Sequence, residues 1–187
     1  MIAIVLYEGA SAFEALGALA ALRAADEPAR LVAAEALVPT REGARLVPHA
    51  LGYDALAEAP AVVLPGGDVA KPLADAALLR ALRARRGRWL LTSGDALRLA
   101  AAAGYAEGRR VATLPGEPVL SGTHGVGSRL VADGRLLTCF PGDPLVDLVL
   151  HWVERERGSP AAARAAHALG RELRTFAEGA KDDAPAA

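Results

Sequence analysis

Short, continuous apolar runs alternate along the chain with longer stretches whose apolar residues recur at a helical spacing. Runs such as Ile2–Tyr7 and Ala61–Leu64 are too short for a stable helix and lack the polar alternation of a half-exposed strand. They predict strands that are buried on both faces, as in parallel sheets. Stretches such as Ala10–Ala24 predict the helices that cover those faces.

These elements predict one α/β domain with a mostly parallel central sheet. Because 187 residues fit a single core and no repeat or linker interrupts the pattern, we expect this domain over residues 1–176. Residues 177–187 have no apolar period and predict a flexible tail. The predicted strands are Ile2–Tyr7, Ala29–Ala36, Gly43–Val47, Ala61–Leu64, Arg88–Thr92 and short strands within 111–137; the predicted helices are Ala10–Ala24, Tyr53–Glu58, Asp75–Arg86, Ala96–Ala103, Pro144–Glu156 and Pro160–Phe176.

The composition restricts the kinds of partner and the cellular location that we expect for this protein. The net charge of −1 argues against a nucleic-acid partner and against a polybasic membrane surface. No apolar run approaches the ~18–20 residues that a membrane span needs, and the apolar start of the chain lacks the basic flank of a signal peptide. We therefore expect a cytoplasmic protein. The absence of Asn and Gln is typical either of a GC-rich genome or of a thermophile, and the sequence does not separate these two origins.

The single cysteine, Cys139, excludes an internal disulfide and a cysteine-rich zinc site. Since His, Cys, Asp and Glu do not cluster at ligating spacings, we expect no metal and no cofactor. Cys139 follows an apolar strand, where a cysteine is either a small buried residue or, less commonly, a reactive thiol. His124 lies in a Gly-containing loop and is the best general acid–base candidate among the histidines, unless it is simply an exposed loop residue.

Ligands of parallel sheets bind beyond the carboxyl ends of the strands, so we examined the residues at those ends. Glu14 lies in the first turns of the helix after the first strand. With Phe13, Leu16 and Ala20 expected to face the sheet, Glu14 would point along its edge toward the crevice. The alternative is an acid that only complements the helix dipole. Two glycines, Gly66 and Gly67, follow the apolar strand Ala61–Leu64 and form either a tight turn or an oxyanion-binding pair of amides.

The strand that ends at Thr92 leads almost without a loop into a helix, through Ser93, Gly94 and Asp95. A turn of this kind, the nucleophile elbow, holds a reactive side chain above a helix N-terminus. Ser93 is the only conventional nucleophile here, but Gly94 is an equal candidate for the strained position itself. Asp95 is either a ligand-binding residue or an N-cap of the helix.

Taken in order, these segments resemble the ThiJ/PfpI superfamily over residues 1 to about 157. The resemblance rests on Glu14 five residues after Gly9, on the Pro65-Gly66-Gly67 turn, on 88–92 leading into the elbow, and on 102–110. That superfamily includes the parkinsonism-associated deglycase, isonitrile hydratases and intracellular proteases or chaperones. The resemblance implies a flavodoxin-like three-layer sandwich of the class I glutamine amidotransferase type, and a homodimer.

The resemblance also assigns roles to individual residues. Glu14 matches the acid that bonds a reactive cysteine at the elbow, and Gly66 and Gly67 match the oxyanion-hole glycines. The cysteine itself is replaced by Gly94 or, with a shift of one residue, by Ser93. His124 lies where some members carry a second histidine.

We therefore expect a non-catalytic or repurposed member that binds a small polar ligand through Gly66, Gly67, Gly94 and Asp95, or that acts in stress protection. The alternative is a hydrolase or hydratase that uses Ser93 or an activated water, with Glu14 as base and His124 as acid. A third, weaker hypothesis makes Cys139 a relocated redox thiol.

Overall fold

The computed structural model describes residues 1–173, which form a seven-stranded sheet with helices on both faces. Sheet order is β10-β11-β7-β6-β1-β2-β5, and every pair is parallel except β10 with β11. The predicted flavodoxin-like sandwich is confirmed. The strands are β1 Ile2–Val5, β2 Ala29–Ala33, β3 Val38–Pro39, β4 Arg45–Leu46, β5 Ala50–Leu51, β6 Ala61–Leu64, β7 Trp89–Ser93, β8 Arg110–Ala112, β9 His124–Val126, β10 Leu130–Asp133 and β11 Leu136–Cys139. The helices are α1 Ala12–Ala24, α2 Ala55–Glu58, α3 Ala70–Ala74, α4 Ala76–Ala84, α5 Leu97–Ala102, α6 Pro144–Arg157 and α7 Ser159–Ala168, with a 3-10 turn at Gly94–Ala96.

Two apolar cores lie on opposite faces of the sheet. Alternate residues of each strand point to opposite faces, so Leu91 of β7 joins the core under α1, α6 and α7, and Leu90 joins the core under α2, α4 and α5. The central strands β1 and β6 are buried along their whole length. This burial explains why their sequences are uninterrupted apolar runs.

The order of the strands places a crevice at the carboxyl end of the sheet. From β1 the chain crosses through α1 to β2 on one side, whereas β6 returns to pair with β1 on the other. The crossovers diverge at this switch point, which is where open α/β sheets bind ligands. The ends of β1, β6, β7 and β11 all reach this edge.

The predicted orientation of α1 is wrong. Phe13 and Leu16 are 56% and 43% exposed, whereas Glu14 and Ala18 are fully buried. Helix α1 packs against α6 so closely that a Cβ on Gly17 would lie 2.9 Å from Val146 Cγ2. Close helix packing of this kind uses small residues, so the alanine face of α1 turns inward together with Leu22, whereas Phe13 and Leu16 turn outward.

The C-terminal part of the described chain also differs from the prediction. Helix α7 ends at Ala168, because Gly170 adopts a left-handed φ of +65° and the Arg171 amide donates to the Ala166 carbonyl at 2.9 Å. The predicted helix was therefore too long over 169–173, and residues 174–187, including the predicted tail, lie outside the described residues. Beyond the turn, Arg171 bonds the buried Asp147 at 2.8 Å.

Smaller elements escaped the prediction. Strand β5 and helix α3 were not expected, and His124 lies in β9 rather than in a loop. Within residues 1–173, no helix combines the length and the apolar character needed to cross a membrane.

Candidate active-site crevice

Glu14 is anchored between the ends of two strands. Its side chain is fully buried. The Gly66 amide, just after β6, donates to Oε2 at 2.6 Å, and the Gly142 amide, just after β11, donates to Oε1. Backbone amides therefore engage both carboxylate oxygens, which compensates the burial of this charge.

A second carboxylate, Glu42, holds the start of α1. Ser11 is the N-cap residue of α1, and its hydroxyl donates to Glu42 Oε1 at 2.7 Å, while the Ala12 amide donates to Oε2 at 2.8 Å. Burial raises the pKa of Glu42, but these two hydrogen bonds outweigh it and lower the pKa to about 2. The sequence offered no signal for Glu42, which lies in the turn between β3 and β4.

Close contacts around the turn after β6 leave no room for a side chain at either of its two glycines. A Cβ on Gly66 would lie 3.2 Å from both Glu14 carboxylate oxygens, and one on Gly67 would lie 2.2 Å from the Gly9 carbonyl oxygen. Gly67 also has a φ of +148°, which side chains rarely adopt. The Gly66 amide is occupied by Glu14, whereas the Gly67 amide has no hydrogen-bond acceptor within residues 1–173.

Tyr7 fixes the same turn from beneath. Its buried hydroxyl donates to the Pro65 carbonyl oxygen. Burial and the nearby Glu14 and Asp95 charges raise the pKa of Tyr7 far above its ordinary value, so the hydroxyl keeps its proton. Tyr7 could not be predicted as a site residue, because a tyrosine at a strand end has no distinctive sequence pattern.

Gly94 occupies the strained position of the elbow. Ser93 is the last residue of β7 and has extended backbone angles, whereas Gly94 has a φ of +49° and begins the 3-10 turn that leads into α5. A Cβ on Gly94 would lie 3.1 Å from Pro141 Cβ. The position where an elbow presents its side chain is therefore bare, and Pro141 faces it.

Ser93 points away from this position. It is fully buried, and its hydroxyl donates to the Phe140 carbonyl oxygen at 3.3 Å. Its neighbour in register is Cys139 of β11. Burial, together with the Glu14 charge, raises the pKa of the Cys139 thiol well above its ordinary value. Neither side chain is an activated nucleophile in this arrangement.

A cavity of about 550 Å³ opens beside Gly67, Gly94 and Asp95. It carries charges of both signs. His124 does not line the cavity. It is exposed on β9, and its amide donates to the Arg109 carbonyl oxygen. The main apolar lining residues are Leu97, Leu114, Val119, Leu120, Phe140 and Pro141, and the charged ones are Arg41, Asp95, Arg98 and Glu117.

The structure thus brings together most of the sequence-predicted site residues. Glu14, Gly66, Gly67, Gly94 and Asp95 meet at one edge of the sheet, with Ser93 adjacent but turned inward. His124 is not part of the group. Arg41 and Arg98 were not anticipated as cavity residues. Within residues 1–173, His, Cys, Asp and Glu side chains do not gather in threes that could hold a metal ion.

The crevice at the switch point, the glycine turn and the strand-to-helix elbow define a class of mostly parallel, flavodoxin-like α/β proteins. The model of the DJ-1/PfpI family matches residues 1–155, and the chain belongs to that family. A comparison with curated proteins gives no significant match.

Solved structures agree with this assignment at the level of the fold. DJ-1beta of Drosophila melanogaster is 21% identical with a TM-score of 0.79, covering 91% of this chain and 97% of its own. A mutant of a DJ-1 superfamily protein from Salmonella typhimurium is 24% identical with a TM-score of 0.78, at the same coverage of 91% and 97%. A ThiJ/PfpI family protein from Pseudomonas syringae is 20% identical with a TM-score of 0.81, covering 96% of this chain and 78% of its own.

Proposed function

We propose that this DJ-1/PfpI protein binds a small polar molecule in the crevice beside Gly94 and performs no covalent catalysis on it. The observation that carries the proposal is the left-handed Gly94 at the elbow, which presents no side chain to the cavity. The resemblance noted above places a reactive cysteine at this position in relatives. Without a nucleophile there, the remaining features serve binding.

The lining of the cavity indicates the class of ligand. Arg41 and Arg98 supply positive charge, which Asp95 and Glu117 balance over the cavity as a whole, and the Gly67 amide supplies a donor without an acceptor within the described residues. Leucine and proline side chains form much of the remaining wall. This combination suits a molecule with an anionic group at one end and an apolar body at the other, such as a small carboxylic acid.

The serine-dependent alternative has less support. A serine nucleophile needs a base within hydrogen-bond reach. The Ser93 hydroxyl instead donates to a backbone carbonyl oxygen, and both oxygens of Glu14 accept backbone amides. An activated water with Glu14 as its base meets the same objection.

Turnover and binding assays test the proposal together. We expect the wild type to leave methylglyoxal, isonitriles and peptides unchanged, and Ser93→Ala to behave identically. A panel of small carboxylic acids should raise the melting temperature of the wild type. Arg98→Glu should abolish that effect, whereas Arg80→Glu, which carries the same charge change outside the cavity, should keep it. Turnover that Ser93→Ala abolishes would overturn the proposal.

Three further expectations are not decided by the fold. A role in stress protection, a homodimeric assembly and a cytoplasmic location stay predictions. The exposed Phe13 and Leu16 on the outer face of α1 are compatible with a subunit contact.

A further inference from the structure

A second group of charged side chains lies at the other end of the strands. The segment 80–88 contains five arginines and no acidic residue, in a chain whose net charge is only −1. The segment covers the end of α4 and the turn before β7, so its side chains lie near the amino ends of β7 and β11. The five residues are Arg80, Arg83, Arg85, Arg86 and Arg88.

Four arginines converge there on one small cavity of about 120 Å³. Arg86 and Arg88 come from the turn before β7, Arg109 from the residue before β8, and Arg135 from the turn between β10 and β11. Tyr105, two glycines and Leu136 complete the lining of the cavity in this part of the chain, and within residues 1–173 no carboxylate side chain lines it.

Three of these four guanidinium groups contact a glycine or an aromatic ring. The Arg86 guanidinium lies over Gly104, where a Cβ would be 3.3 Å from its Cζ. The Arg109 guanidinium lies against Gly134, where a Cβ would be 2.9 Å from Arg109 Nη1. The Arg135 guanidinium lies 5.7 Å from the centroid of the Trp89 ring. Three of the four exposed arginines of this group therefore lie against neighbouring residues of the protein surface.

Most of the donors in this group have no acceptor. Each guanidinium carries five N–H groups. Within residues 1–173, the Arg86 and Arg135 side chains donate to no hydrogen-bond acceptor, and Arg88 donates only to the Ala57 carbonyl oxygen. Asp133 pairs with Arg109 at 2.8 Å and offsets one of the four charges. Three positive charges remain uncompensated around a cavity of limited size.

We propose that this cavity binds a phosphate group, either inorganic phosphate or the phosphate of a phosphorylated small molecule. A dianion would relieve the mutual repulsion of the arginines, and its oxygens would accept from several guanidinium forks at once. The volume corresponds to about four water molecules at ~30 Å³ each, which suits a group of five heavy atoms. The site is separate from the crevice at Gly94, so it does not depend on the function proposed there.

Calorimetric titration of the full chain tests the proposal, with inorganic phosphate and phosphoserine as separate probes. We expect one saturable site per chain for at least one probe. Arg86→Gln and Arg135→Gln should each raise the Kd by about tenfold or more, since each removes a charged donor. Arg80→Gln is the matched control, because Arg80 is an exposed arginine of α4 that does not line the cavity.

The remaining outcomes are equally informative. Tighter binding of phosphoserine than of phosphate would support the site and assign it to a phosphorylated molecule. No saturable binding of either probe would overturn the proposal. So would an equal loss in Arg80→Gln, which would indicate a diffuse electrostatic effect. Binding of a single-stranded oligonucleotide without binding of phosphate or phosphoserine would also overturn it. Because Arg86 and Arg135 are exposed, the variants should fold, which circular dichroism would verify.

Discussion

The two ends of β7 differ in the residues that surround them, with glycines at the carboxyl end and arginines at the amino end. At the carboxyl end, glycines leave the backbone bare, and the buried carboxylate of Glu14 is already engaged by amides of the chain. At the amino end, long arginine side chains surround a small cavity, and several of their donors have no acceptor among residues 1–173. The first region therefore has a shape fixed by close backbone contacts, whereas the second has positive charge that no lining carboxylate balances within residues 1–173.

This contrast shows that the fold itself requires the shape of the crevice, whatever chemistry takes place there. Gly66 and Gly67 are required because neighbouring atoms leave no room for a side chain. Glu14 ties β6 and β11 to α1, so it contributes to folding whether or not it acts on a ligand. If this structural interpretation is right, substitutions at the carboxyl end should affect stability, whereas exposed arginines at the amino end should affect binding.

The largest effect is expected at Gly67. Gly67→Ala would place a Cβ 2.2 Å from the Gly9 carbonyl oxygen and strain the backbone. We expect a loss of more than about 4 kcal/mol in the free energy of unfolding, or no folded protein. Gly43→Ala is the control, because Gly43 also has a positive φ but open space around it, and it should cost only ~1–2 kcal/mol. Urea denaturation measures the free energy of unfolding of both variants. Equal losses in Gly67→Ala and Gly43→Ala would refute the steric argument.

At the amino end, the largest effect is expected at Arg85. This buried side chain donates to the carbonyl oxygens of Leu56, Ala59 and Trp89 at 3.0–3.1 Å. Arg85→Met keeps an apolar stem but leaves these acceptors without a partner, so the free energy of unfolding should fall by about 3 kcal/mol. Arg80→Met, on the exposed side of the same helix, should change it by less than about 0.5 kcal/mol. A comparable effect at both positions would contradict this assignment.

Glu14→Gln distinguishes a structural carboxylate from a catalytic base. The amide is nearly isosteric, but its NH₂ group would face either the Gly66 or the Gly142 donor. We expect a loss of about 2 kcal/mol in the free energy of unfolding. Glu35→Gln, at an exposed position, should have almost no effect. If Glu14→Gln leaves stability unchanged, the anchoring role is wrong.

The smallest effect is expected from the cap at Glu42, and it depends on pH. The folded-state pKa of about 2 lies below the ordinary value of 4.5, so the unfolded chain binds the proton more readily between these values. The stabilisation is therefore complete above pH 4.5 and is lost as the pH falls toward 2. Because the side chain is partly exposed, solvent screening limits the contribution to about 1 kcal/mol.

Thermal unfolding between pH 2 and pH 7 would measure this contribution. Glu42→Gln should lower stability at pH 7 and flatten its dependence on acid, whereas Glu58→Gln should leave the profile unchanged. If the stability of Glu42→Gln falls with pH as steeply as that of the wild type, the proposed cap is excluded.

Much of the fold could be predicted because its central strands are buried on both faces. Uniform burial gives apolar runs such as Ala61–Leu64, which the sequence displays directly. The two-residue strand β5 leaves no such trace, because its neighbour β2 sets its pairing. The face of α1 was mispredicted because its inward side is made of alanines rather than of large apolar residues.

The site was predictable where a residue follows a strand, and unpredictable where the partner lies far along the chain. Glu14, Gly66 and Gly67 were found by their position at strand ends. Glu42 reaches α1 from a hairpin thirty residues away. The choice between Ser93 and Gly94 depended on one backbone angle, which no sequence pattern specifies.

Placing a cysteine at each of the two elbow residues tests the central claim most directly. In a Cys139→Ala background, we expect the thiol of Gly94→Cys to react with iodoacetamide in the native protein at least as fast as an unfolded thiol. The thiol of Ser93→Cys should be alkylated only after unfolding, since Ser93 is fully buried. Intact-mass spectrometry over time gives both rates. Rapid native alkylation of Ser93→Cys, with Gly94→Cys inert, would show that Ser93 holds the reactive position and would contradict the account.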